Sequence, residues 1–100
     1  MEDFSIERAG IANLDFTGDL IGQGGIPVVI KIYRTKGNKY IGETNANLKM
    51  AQAESFDNPA ALINWFRNRP YGITREIQDA IEDATNHDDL FKAAWNVHVD

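Results

Sequence analysis

A nucleophile of the serine or cysteine type in this chain of 100 residues would have to be Ser5 or Ser55, with His87 or His98 as base, because there is no cysteine. A serine nucleophile needs a base beside it and a sharp turn to present it, and neither serine sits in such a motif. The run His87–Asp88–Asp89 has ligand types for a metal, yet adjacent side chains diverge, and the i, i+4 histidine spacing of helical zinc sites is missing. It reads instead as a turn followed by a helix cap. Gly22–Gln23–Gly24–Gly25 has the composition of a phosphate-binding loop. Such loops lead into a helix whose amides meet the anion, whereas here Pro27 and a β-branched run follow, so the stretch reads as a hairpin loop. Glu76, Asp79 and Asp83, flanked by Glu82, fall on one side of a helical pattern. Solvated carboxylates on an open helix face have no reason to act as acid or base; the row reads either as a solubilising face or as a match for a basic groove on another protein.

The elements that would hold these groups follow from periodicity. Leu14, Phe16 and Leu20 alternate with polar residues in a strand pattern. In PVVIKIYRT, Val28, Ile30 and Ile32 share one face, and Val29, Lys31 and Tyr33 the other. Gly37 and Asn38 turn the chain, and KYIGET returns antiparallel. A further strand is expected within LKMAQAES, with Leu48 and Met50 facing one way. At residue 57 the period lengthens to that of a helix. Asp57 or Asn58 can cap it, Pro59 suits its first turn, and Leu62, Trp65 and Phe66 form an apolar stripe. Pro70 and Gly72 end it. Thr74 then caps a second helix with Ile77, Ala80, Ile81 and Ala84 inward, and Asp88 or Asp89 caps a third over LFKAAW.

One apolar sheet face and one apolar helical face can bury only against each other. The expected fold is therefore a single α+β domain over residues 1–100: a two-layer structure, with an antiparallel sheet of about four strands covered on one face by an antiparallel helical hairpin, plus a short C-terminal helix. Trp65 belongs to the core in that arrangement. On the uncovered face, Lys31, Tyr33, Arg34 and Tyr40 are expected to form an exposed basic and aromatic surface of the kind enriched at protein contacts.

Charge narrows the partner. Fifteen acids against ten Lys and Arg give a net charge of −5, which repels the nucleic-acid backbone and favours a cationic protein surface. No apolar run approaches the ~20 residues of a membrane span, and the acidic N-terminus is unlike a signal peptide, so a cytoplasmic location is expected. Neither a metal nor an organic cofactor is expected.

The order I-x-I-Y, a glycine turn, a returning strand, then FD-x3-4-L-x2-WF-x3-P-x-G-x2-R-x-I-x2-A-I resembles a small phage-encoded anti-CRISPR protein of subtype I-F. Here it is carried by residues from Ile30 to Ile81, within a span of roughly 28–85. The resemblance implies a non-enzymatic inhibitor that binds the repeated backbone subunit of a CRISPR surveillance complex and stops target DNA pairing with the guide RNA. It also implies a contact on the sheet side centred on Tyr33. A second family tyrosine is replaced by Phe16 or a neighbour, and a family glutamate falls near Asn45, with Glu43 two residues away. The implied contact set is Tyr33, Lys31, Tyr40, Glu43, Asn45 and Phe16. The alternative is a small self-associating regulatory or housekeeping protein that joins its copies through Trp95 and the tail.

Overall fold

Aromatic and β-branched residues on alternating positions build the sheet. The computed structural model describes residues 1–8, 10–45 and 51–96. Five strands, β1 (Glu2–Arg8), β2 (Ile11–Gly24), β3 (Ile30–Thr35), β4 (Tyr40–Thr44) and β5 (Gln52–Phe56), lie side by side in chain order. Every neighbouring pair is antiparallel. Three helices follow: α1 (Pro59–Arg67), α2 (Arg75–Thr85) and α3 (Asp89–Trp95). The class is α+β, with one strand more than the sequence reading expects. The additional strand is β1, whose partner is the first half of an unusually long β2. Its Phe4 and Ile6 pair with Phe16 and Leu14, so both strands offer apolar groups to one face.

A register shift between Leu20 and Gly22 reverses which positions of β2 face each side. Beyond it Gly22, Gln23 and Gly24 continue the strand, so of the glycine run read as a hairpin loop only Gly25, at φ 97, lies in the β2–β3 turn. These glycines serve close approach. A Cβ on Gly24 would collide with the Glu76 carbonyl, and one on Gly22 with that of Ala80, which places the α2 backbone directly on the strand.

The helices begin where the cap chemistry places them. Ala61 N–H donates to Asn58 Oδ1 at 2.9 Å, Ile77 N–H to Thr74 Oγ1 at 3.3 Å, and Phe91 N–H to Asp88 Oδ1 at 2.9 Å. Leu62 and Phe66 of α1 and Ile81, Ala80 and Ala84 of α2 are fully buried. Each large side chain so placed contributes about 1.5–3 kcal/mol. Trp65 is half-buried between the Phe56 and Phe66 rings, with Arg69 over its face at 5.3 Å. The expected packed pair of α1 and α2 does not form. α1 lies over β4 and β5, α2 lies over β2 and β3, and α3 touches both. The intervening residues 68–74 spread the two helices over separate strands, and Phe91 of α3 fills the gap.

The described residues form two cores. One joins Ile21, Ile30, Ile32 and Tyr40 to the helices, and the other joins Ile6, Tyr33, Ile41, Ala51 and Ala53 on the opposite sheet face. Residues from the first and last strands meet in the second core, so the sheet is curled. Arg8 Nη1 donates across the gap to the Ala53 carbonyl at 3.3 Å. Leu48 and Met50, expected in a strand, and the tail beyond Asn96, named with Trp95 for self-association, lie outside the described residues. No helix among the described residues is long and apolar enough to cross a membrane, a statement about helices only.

Candidate functional site

Tyr33 stands on β3 with its side chain toward the concave face of the sheet, and it is only 3% exposed. The Phe4 and Phe16 rings flank it at centroid distances of 4.8 and 5.0 Å. Its hydroxyl donates to Glu43 Oε1 at 3.0 Å. This overturns the expectation of a free Tyr33. The cover is not α-helical; it is the β1–β2 hairpin, which lays Phe4, Ile6, Leu14 and Phe16 over β3 and β4. Phe16 is thus a lid residue rather than an outward contact. Glu43 is buried as well, at 6% exposure, opposite the half-buried Lys31. Burial raises the Glu43 carboxyl above its ordinary value, while the Tyr33 bond and the Lys31 charge pull it back. The Tyr33 hydroxyl is pushed well up by burial first and by Glu43 second.

Tyr40 is separated from this group by the sheet itself. It pairs with Arg34 on the helical face, is 1% exposed, and donates to Asp88 Oδ2 at 3.0 Å. Arg34 Nη1 reaches the same oxygen at 3.1 Å. Burial, then the Asp88 bond, pushes the Tyr40 hydroxyl up to about 12. The expected surface of Lys31, Tyr33, Arg34 and Tyr40 is therefore split between two faces. Adjacent strand positions point to opposite sides, so Tyr33 and Arg34 could never share one. Asn45 follows β4, exposed and at φ 57, a left-handed conformation that asparagine tolerates.

Among the described charged side chains that are exposed, acids outnumber bases. On the outer face of the hairpin, Asp3, Ser5, Glu7 and Asp15 are exposed, and the helices pack beyond them over β2 to β5. Two cross-strand rungs hold this face: Ser5 Oγ donates to Asp15 Oδ1, and Thr17 Oγ1 to Asp3 Oδ1, each at 2.5 Å. The carboxylates are thereby oriented while each keeps a second oxygen for a partner. Glu76, Asp79 and Glu82 of α2 are exposed too, whereas Asp83 turns inward to accept the Gln23 N–H at 3.1 Å. The hairpin face was missed in the sequence because β1 was not read as a strand; the alternation of Asp3, Ser5 and Glu7 with Phe4 and Ile6 was the available signal.

No family model, curated protein or solved structure matches this chain.

Proposed function

We propose that the chain is a non-enzymatic inhibitor acting by protein contact in the cytoplasm of a host cell. Its partner is the repeated backbone subunit of a type I-F CRISPR surveillance complex, and binding keeps target DNA from pairing with the guide RNA. The partner and the step blocked rest on the sequence resemblance. The observation that supports the reading is the outer hairpin face, where oriented carboxylates of Asp3 and Asp15 stand free of the helical layer. A subunit that holds guide RNA needs a basic groove, and a rigid acidic face complements it. The contact then moves from Tyr33 and Tyr40, both buried, to the hairpin.

The test is an electrophoretic assay of target-DNA binding by the purified complex, with increasing amounts of this protein. Full-length protein is expected to abolish DNA binding. The variant with Asp3→Asn and Asp15→Asn keeps both hydroxyl bonds and removes only charge, so inhibition should weaken about tenfold or more. Absence of any binding to the complex defeats the partner assignment; undiminished inhibition by the double variant defeats the hairpin face as the contact.

A further inference from the structure

Strands of unequal length leave part of β2 with a single neighbour. β3 meets β2 between Gly18 and Gly24, whereas β1 accompanies it from Gly18 back to Ile11. Among the described residues, positions 11–17 therefore have β1 along one edge and no strand along the other. Antiparallel partners alternate between pairs that exchange both backbone bonds and pairs that exchange none, so every second residue of β2 turns its N–H and C=O away from β1. Lys36 shows which ones. Its N–H donates to the Thr17 carbonyl at 2.8 Å from the β3 side, and Asp15, two residues from Thr17, shares that direction. After this one rung the chain turns away through Gly37 and Asn38, and among the described residues nothing takes up the Asp15 backbone on that side. An exposed strand edge is a template for another strand.

The side chains along the edge select what kind of strand fits. Asp15 faces outward with Asp3 and Glu7 of β1, all three exposed, while the nearby Met1 amine is held by Asp19 at 3.2 Å. Leu14 and Phe16, on either side of Asp15, face the second core and are only half-buried. Residues opposite each other in an antiparallel pair share a face. A residue opposite Asp15 thus meets carboxylates, and those opposite Leu14 and Phe16 meet apolar groups. The chain itself follows this rule at its own last rung, where the residue opposite Thr17 is a lysine. A second copy fits poorly, because pairing through the same edge brings acidic hairpins together in a chain of net charge −5.

We propose that the free edge of β2 at Asp15 takes up an extended segment of another protein, with basic and apolar residues in alternation, as an added antiparallel strand. Main-chain bonds hold such a segment, and the alternating side chains select it. The inference rests on the acidic hairpin face described above and adds the backbone of β2 to it, while the segment can belong to any protein that carries this pattern.

The probe is the peptide acetyl-Lys-Val-Lys-Val-Lys-Val-amide, titrated at low salt into the full chain and followed by amide chemical shifts and hydrogen exchange. Saturable shifts are expected at Leu14, Asp15 and Phe16, with exchange of the Asp15 N–H slowed at least about tenfold. In an antiparallel ladder the residue opposite Asp15 supplies its own N–H and C=O, and that residue is a lysine of the probe. Methylating the lysine amides should therefore weaken binding at least about tenfold, and methylating the valine amides should leave it unchanged. Asp15→Asn keeps the edge and removes one charge, for a loss of about threefold. Equal binding by the lysine-methylated peptide, equal binding by acetyl-Lys-Lys-Lys-Val-Val-Val-amide, or unaltered exchange at Asp15 would each overturn the added strand. Sedimentation of the chain alone as a dimer, with the Asp15 N–H already protected, would overturn the occupant in favour of a second copy. The peptide reports on the edge without the surveillance complex: peptide binding without complex binding defeats only the CRISPR partner, and complex inhibition without peptide binding defeats only the added strand.

Discussion

Tyr33 and Glu43 form a buried donor–acceptor pair, and their removal should therefore be read in stability. Tyr33→Ala empties the space between Phe4 and Phe16, and a loss of about 3–5 kcal/mol is expected in urea denaturation. Tyr33→Phe keeps the ring but strands the Glu43 carboxylate, for about 1–3 kcal/mol. An alanine variant as stable as the parent would contradict the second core. Glu43 also makes stability depend on pH. Its folded pKa lies above the ordinary 4.5, so the folded chain holds a proton that the unfolded chain has already released. Stability then falls as pH rises through the window just above 4.5 and levels off past the folded value. Glu43→Gln should flatten the thermal midpoint as pH rises above 4.5. Asp57 acts with the opposite sign: Lys39 lowers its pKa below 3.8, so any effect is confined to more acidic solution and does not overlap.

At the scale of elements, the contact between α2 and β2 depends on the absence of side chains at Gly22 and Gly24. Gly24→Ala would bring a Cβ to 2.9 Å from Ala80 N, besides its collision with the Glu76 carbonyl. Backbone on both sides leaves nothing that can turn aside, so the helix must lift, for about 1–3 kcal/mol. Gly37→Ala is the matched control. Its nearest neighbour would be Thr35 Oγ1 at 3.9 Å, and a change within about 0.5 kcal/mol is expected. Thermal denaturation of the two variants side by side checks the pair; equal midpoints would mean that α2 does not rest on the strand as described.

For the whole molecule, a net charge of −5 and two exposed acidic faces make association with a basic partner a matter of long-range attraction. Raising salt from about 50 to 300 mM shortens the screening length about 2.4-fold and should slow association about tenfold, with a smaller effect on dissociation. Stopped-flow kinetics with the surveillance complex measures both rates. An association rate indifferent to salt would remove electrostatic steering from the proposed mechanism.

Local rules, acting within a few residues, were enough to locate the helices: Asn58, Thr74 and Asp88 each cap through their own side chains, and Ile77, Ala80, Ile81 and Ala84 turn inward at helical spacing. Alternation likewise assigned Ile30 and Ile32 to one face and Tyr33 to the other. Which face meets water is a different kind of question, because a strand pattern specifies two sides without saying what covers each. That was decided by the long-range pairing of Phe4 with Phe16 and Ile6 with Leu14, which curls a hairpin across Tyr33. The same holds for the division of labour between α1 and α2, with Phe91 buried in the core they share, and for the orphan hydroxyl of Thr44. Such contacts join residues far apart in the chain, and their energies exist only once the chain has closed on itself.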